Sequence, residues 1–132
     1  MKTKWADATA PLIRLPLLGE NVSVLMEDWS VAVRGHEFVI QHGTITDGAS
    51  IPRSLWWLCG CPHEAPRVYA ALLHDWLYAC GSAMGISRKE ADECYYALNR
   101  HFGLDAVRAG IEFRALRWFG GAHYTKGKNN EN

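Results

Sequence analysis

The sequence lacks an excess of charge of either sign, since 14 Lys and Arg residues balance 14 Asp and Glu residues in 132. A protein that binds the nucleic acid backbone usually carries a basic excess, because affinity comes from neutralised phosphates. The sequence also lacks any apolar run close to the roughly 20 residues of a transmembrane helix. We therefore expect neither a nucleic acid partner nor a transmembrane segment.

A secretory signal is lacking as well, because charged residues and prolines interrupt the N-terminal apolar residues, among them Asp7, Pro11, Arg14 and Pro16. This pattern predicts a soluble protein that is made in a cytoplasm. Cysteine is scarce, with four residues in the chain. For a cytoplasmic protein we expect free thiols rather than disulfides at Cys59, Cys61, Cys80 and Cys94.

The residue pattern changes from strand-like to helical along the chain. Between residues 21 and 46, β-branched and apolar residues alternate with polar ones, and Arg34-Gly35-His36 fits a hairpin turn. Helical spacing follows over residues 67–80 and 106–119, with stops at Gly81 and Gly120-Gly121. Between them, the capping sequence Ser87-Arg88-Lys89-Glu90 predicts a helix that runs to about residue 101 and stops at Gly103.

These elements predict an α+β fold in one domain of 132 residues. A small antiparallel N-terminal sheet precedes a three-helix C-terminal half, whose first two helices form an antiparallel hairpin. We expect an N-terminal extension over residues 1–20 and a β region with its loop over residues 21–52. A helical region over residues 53–121 and a flexible tail over residues 122–132 should follow.

Two ionisable residues interrupt the apolar stretch LLHDWLYACG, which covers residues 72–81. His74, Asp75 and Tyr78 share one helix face because they are three and four residues apart. The link to the next helix is short, so residues equidistant from its centre should meet across the hairpin. Asp92 is then expected opposite His74 and Asp75, with Tyr95 or Tyr96 nearby.

Such a cluster has two chemical uses, which can coexist. In one, a carboxylate binds one imidazole nitrogen of His74, and the other nitrogen takes a proton from water. In the other, Asp75 and loop oxygens hold a divalent cation. A third interpretation is structural, in which a satisfied hydrogen-bond network holds the hairpin together.

Other candidate sites lie in the loop between sheet and helices. Ser50 could act with His74 and an aspartate as a hydrolase triad, although no GxSxG elbow surrounds it. Asp47 and Ser50 also have a structural interpretation, in which they stabilise the turn and take no part in a site. Zinc is a further alternative, at the closely spaced residues Cys59, Cys61 and His63, with His74 or Cys80 nearby in sequence.

Three motifs in order, TDGASIP at residues 46–52, HDWLY at 74–78 and SRKEAD at 87–92, precede a Trp-Phe-Gly helix end. The combination closely resembles a family of small uncharacterised proteins of tailed bacteriophages and prophages, over roughly residues 38–121. The resemblance implies a phage setting rather than a reaction. It also implies partners among other phage proteins or host envelope components, and a location in the host cytoplasm or the virion.

A second resemblance is local, since HDWLY is similar to the HDxxY segment of secreted phospholipases A2. It implies that His74 activates water, Asp75 binds calcium, Tyr78 braces the site and Asp92 orients His74. Thr46, Asp47 and Ser50 would supply replacement oxygens for calcium, because the glycine- and cysteine-rich calcium loop of that family is missing here. The cysteines that the phospholipase A2 family has within this motif are replaced by Trp76 and Leu77 in this chain.

Two functional hypotheses follow. The first is a phage hydrolase in which His74 and the aspartates, with or without a metal, direct water at an ester or amide of host envelope lipid or peptidoglycan. The second is a non-catalytic component of the virion, its tail or its assembly. Calcium is the metal implied by the first hypothesis, ahead of zinc.

Overall fold

In a computed structural model of the protein, residues 1–48, 63–121 and 124 are described. Within them, six short antiparallel strands precede three helices, so the α+β prediction is confirmed. The strands are β1 Ala6–Asp7, β2 Ile13–Arg14, β3 Ser23–Leu25, β4 Trp29–Val33, β5 His36–Ile40 and β6 Ile45–Thr46. The helices are α1 Arg67–Cys80, α2 Arg88–His101 and α3 Ala106–Phe119.

The strands form two three-stranded sheets, in the orders β1-β4-β5 and β2-β3-β6. The expected single sheet is therefore divided, because β3 and β4 follow each other in the chain but belong to different sheets. Residues 1–20, expected as an extension, contribute β1 and β2, one strand to each sheet. Strands of two residues are too short to show an alternating pattern, which explains why the sequence did not reveal them.

The β4-β5 hairpin turns where the sequence predicts, but the turn has two residues, because His36 already belongs to β5 and pairs with Val33. Arg34 and Gly35 both have positive φ, at 52° and 82°, as a type I′ turn requires. Along β4, Trp29, Val31 and Val33 are buried while Ser30 is exposed. This alternation places one face of the sheet in the core, which continues into the buried side chains of the helices.

The helices begin and end close to the predicted residues. The Ser87 side chain accepts a hydrogen bond from the Glu90 backbone N–H at 3.1 Å, which confirms it as the N-cap of α2. The end of α1 differs from expectation: Gly81 is right-handed, with φ −63°, and starts a 3₁₀ turn over Gly81–Met84. Gly85, with φ 79°, is the left-handed residue that ends this turn and leads into α2.

Helix α1 packs against α2, and α2 packs against α3. None of these helices has the length and apolar character of a membrane span, a finding that covers the described residues. The interior is mostly apolar, but eight polar or charged residues among those described are buried in it: Ser23, Thr46, Arg67, His74, Asp92, Asn99, His101 and Glu112. Such groups require partners when buried, so they indicate where a site could lie.

Candidate functional site

A buried histidine–aspartate pair joins α1 and α2. His74 Nε2 lies 2.7 Å from Asp92 Oδ1, and the two residues are 1% and 0% exposed. The expected meeting of these residues across the hairpin is confirmed. Because Asp92 accepts at Nε2, that nitrogen carries a proton, and the acid–base chemistry of His74 is left to Nδ1.

Asp92 receives two further hydrogen bonds, so both of its oxygens have donors. The Tyr78 hydroxyl donates to Oδ1 at 2.5 Å, and Arg117 Nη1 on α3 donates to Oδ2 at 2.7 Å. Burial alone would raise the pKa of Asp92, but the hydrogen bonds from His74, Tyr78 and Arg117 hold this pKa below its ordinary value. Asp92 is therefore a carboxylate across the physiological pH range.

The second imidazole nitrogen of His74, Nδ1, does not bind Asp92. Nδ1 is buried and lacks a hydrogen-bond partner among the described residues, with Asp75 Oδ1 3.9 Å away. The other oxygen of Asp75 accepts a hydrogen bond from the Thr46 hydroxyl at 2.5 Å, which connects the end of β6 to α1. Burial lowers the pKa of His74, but the interactions with Asp75 and Asp92 outweigh burial, and the pKa is raised above its ordinary value.

Aromatic rings surround the imidazole. The ring centroids of His74 and Tyr78 are 4.0 Å apart, and Tyr95 meets His74 edge-on at 5.4 Å. Tyr96, the alternative to Tyr95 at this position, contacts Trp5 on another face of α2. Of the two tyrosines considered from the sequence, Tyr95 is thus the one at the site.

The sequence did not point to two arginines at this site. Arg117 binds Asp92, and Arg88 donates to the Leu116 and Arg117 carbonyls at 2.8 and 2.7 Å and to the Tyr78 hydroxyl at 3.3 Å. Arg88 thereby fixes the C-terminal end of α3 beside Asp92. The one available signal was its position within the SRKEAD motif; Arg117 resembles the other arginines of α3.

Gly120 makes the close approach between α3 and Tyr78 possible. A Cβ at this position would lie 2.7 Å from the Leu116 carbonyl oxygen and 3.0 Å from the Tyr78 hydroxyl. We expect Gly120→Ala to move Tyr78 away from Asp92 and to lower the free energy of unfolding by about 1–3 kcal/mol, the usual range for overpacking. Urea denaturation would measure this change in the free energy of unfolding. Gly110→Ala is the control, because a Cβ at that position has no atom within 4 Å. Equal stability of Gly120→Ala and wild type would contradict this account of the contact.

Of the remaining predicted site residues, the structure describes Asp47 and His63, and neither makes a hydrogen bond or ion pair with this cluster within the described residues. Asp47 is exposed. Ser50, Cys59 and Cys61 lie outside the described residues, so the triad and zinc hypotheses stay predictions. His63 Nδ1 is 2.9 Å from the Ser23 hydroxyl. In the described ranges, no group of three or more His, Cys, Asp or Glu residues is placed to hold a metal ion.

Comparisons with known proteins identify relatives without an assigned activity. A family described as "Protein of unknown function (DUF1353)" matches residues 23–116. The chain is also similar to the uncharacterized protein y4jT of Sinorhizobium fredii (strain NBRC 101917 / NGR234), with 28% identity over 86 residues. That match covers 65% of this chain and 25% of the relative, so the chain spans about a quarter of it. No solved structure gives a significant match.

Proposed function

Because the chain belongs to the DUF1353 family, whose description assigns no function, we propose one from its own residues: a hydrolase of phage or prophage origin with His74 as general base. The observation that carries this proposal is the asymmetry of the imidazole. Its Nε2 is held by Asp92, while the buried Nδ1 has no hydrogen-bond partner in the described part of the chain. An imidazole nitrogen in this state takes a proton from a water molecule that reaches it.

The proposed reaction needs only this chain and water. Asp92 holds the proton on Nε2, so the lone pair of Nδ1 accepts a proton from water as the water oxygen attacks the substrate carbonyl. A new C–O bond forms and a water O–H bond breaks. The imidazolium charge is balanced by the Asp92 carboxylate, which Tyr78 and Arg117 keep in place. The proton then passes from Nδ1 to the leaving alcohol or amine as its bond to carbon breaks.

The proposed substrate is an ester or amide of host envelope lipid or peptidoglycan. The resemblance of HDWLY to the phospholipase A2 segment favours a lipid ester. The contacts of the four residues support the roles which that resemblance implies. His74 Nδ1 has no hydrogen-bond partner in the described residues, Asp75 Oδ1 lies 3.9 Å from it, and Tyr78 and Asp92 are hydrogen bonded on the opposite side.

Calcium is not assigned a role in the reaction. Calcium takes six to eight oxygen ligands. Of the residues that the structure describes, Asp75 and the exposed Asp47 are the acidic candidates, and one Asp75 oxygen already accepts from Thr46. These residues alone do not make up a calcium site, so no step of the proposed reaction uses the metal.

The pH dependence of turnover tests the proposal. Since the pKa of His74 is raised above 6.5, its base form should be scarce at pH 6. We expect the rate of phospholipid or peptidoglycan hydrolysis to rise roughly tenfold per pH unit below that raised pKa and to level off above it. Fatty acid release from vesicles and amine release from peptidoglycan would be followed between pH 5 and pH 9. A rate independent of pH over this range would contradict a His74 base.

Stability should depend on pH in the opposite sense. Protonation of His74 stabilises the folded state fully below pH 6.5, and this contribution is lost as the pH rises through the raised pKa. The lowered pKa of Asp92 gives a contribution that is present above pH 3.8 and lost as the pH falls through that lowered pKa. If the hydrolysis rate falls toward pH 6 while the free energy of unfolding, measured by urea denaturation, rises, then protonation of His74 and not unfolding causes the loss of rate.

A second candidate function is a non-catalytic component of the virion or its assembly. The observation that favours it is apolar exposure: Leu15, Leu17 and Leu18, between β2 and β3, are 53%, 58% and 105% exposed. Exposed apolar side chains of this kind are common where proteins bind each other. If His74→Gln and Asp92→Asn leave envelope hydrolysis unchanged but abolish particle assembly, this function replaces the hydrolase.

A further inference from the structure

A second buried polar cluster lies beside the first and likewise contains residues from all three helices. Arg67 Nε on α1 donates to Glu112 Oε2 on α3 at 2.5 Å, and the Tyr95 hydroxyl on α2 donates to Glu112 Oε1 at 2.7 Å. The three residues are at most 3% exposed. Asn99, also fully buried, follows Tyr95 by one helical turn. We call these four residues the second cluster.

Stability alone does not explain the second cluster. Its Arg67 Nη2, Asn99 Nδ2 and Asn99 Oδ1 are buried without hydrogen-bond partners among the described residues. Unpaired buried polar atoms lower stability, and a buried ion pair is often no more stabilising than apolar residues of the same volume. A cluster with this cost is expected to have a role besides holding the helices together.

Tyr95 connects the second cluster to His74. Its ring contacts the imidazole edge-on, with centroids 5.4 Å apart and planes at 67°. Asp92 and Tyr95 are three residues apart on α2, so one face of this helix presents both a carboxylate and a ring to His74. The ring of Tyr95 in turn is fixed at its far end, because its hydroxyl is bound to Glu112 and Glu112 is bound to Arg67.

We propose that Tyr95 is a positioning residue, and that Glu112 and Arg67 hold its ring against His74 so that Nε2 stays directed at Asp92. The effect of Tyr95 on turnover rests on the proposed hydrolase, whereas its effect on the orientation and pKa of the His74 imidazole does not. A ring free to shift would loosen the contact between His74 and Asp92. A misplacement of about 1 Å at a reacting group can cost roughly 100-fold in activity.

The test is Tyr95→Phe in the full chain, which keeps the ring and removes the hydroxyl. Tyr96→Phe is the matched control, because it makes the same change at the next residue, whose hydroxyl accepts from Arg100 instead. Imidazole ¹⁵N spectra would be recorded against pH, with the His74 signals identified by their loss in His74→Gln. Hydrolysis would be assayed on the same samples. Glu112→Gln provides a second variant if Tyr95→Phe does not fold.

We expect Tyr95→Phe or Glu112→Gln to lower the pKa of His74 and to reduce turnover by up to roughly 100-fold, with KM unchanged. Tyr96→Phe should leave the His74 signals as in wild type. Unchanged His74 signals and pKa in a folded variant would overturn the positioning role, even if stability fell. If no preparation hydrolyses any substrate, the proposed function fails, and the ¹⁵N spectra still decide whether Tyr95 positions His74.

Discussion

Asp92→Asn should abolish most of the turnover and destabilise the fold at the same time. The amide cannot carry the charge that balances the imidazolium of His74, and its N–H₂ would face donors from Arg117 or Tyr78. We expect turnover to fall by about 10³- to 10⁴-fold, as for an orienting carboxylate in a catalytic triad. The free energy of unfolding should fall by about 3 kcal/mol, because a buried ion pair loses one partner. Steady-state hydrolysis and urea denaturation measure the two effects.

Asp105→Asn is the matched control for this substitution. Asp105 is the exposed N-cap of α3, where it accepts from the Arg108 backbone N–H. Asparagine is as good an N-cap as aspartate, so stability should change by less than about 0.5 kcal/mol. A folded Asp92→Asn variant with wild-type turnover and an unchanged pKa of His74 would contradict the role given to Asp92.

Arg67→Met should be the most destabilising single change in the second cluster. It leaves the carboxylate of Glu112, which is fully buried, without its cation. Burial already raises the pKa of Glu112 against the hydrogen bonds from Arg67 and Tyr95, which lower it. We expect a loss of about 3–5 kcal/mol in the free energy of unfolding at pH 7, measured by urea denaturation.

The double variant Arg67→Met/Glu112→Leu provides the control for that loss. Because it removes both charges and fills the space with apolar atoms, it should recover roughly half of the loss or more. A loss in the double variant equal to the sum of the two single losses would show that the two residues do not interact. The double variant should still lower the pKa of His74, since the Tyr95 hydroxyl then has no carboxylate to bind.

The sequence predicted the local elements well because their signals are local. The capping sequence at Ser87, the hairpin turn at Arg34-Gly35 and the helix over Arg67–Cys80 each depend on residues within one or two turns of each other. Even the contact between His74 and Asp92 followed from a local argument, because a short link between antiparallel helices fixes which residues meet.

The remaining features depend on contacts that are distant in the chain. The pairing of β1 with β4 joins residues about 26 positions apart, and strands of two residues leave no pattern. Arg117 reaches Asp92 across 25 positions, and Glu112 reaches Arg67 across 45. A single arginine or glutamate on a helix is usually solvated, so its identity alone did not distinguish these buried residues from the exposed ones around them.

The central claim is that Nδ1 of His74, which has no hydrogen-bond partner among the described residues, activates water, and His74→Gln tests it most directly. Wild type and His74→Gln would be incubated at pH 8 with phospholipid vesicles and with peptidoglycan, and released products would be quantified by mass spectrometry. Folding of the variant would be checked by circular dichroism. We predict product release by the wild type and, for the folded variant, release at the rate of buffer alone. Equal release by both proteins, or none by the wild type, would contradict the proposed hydrolase.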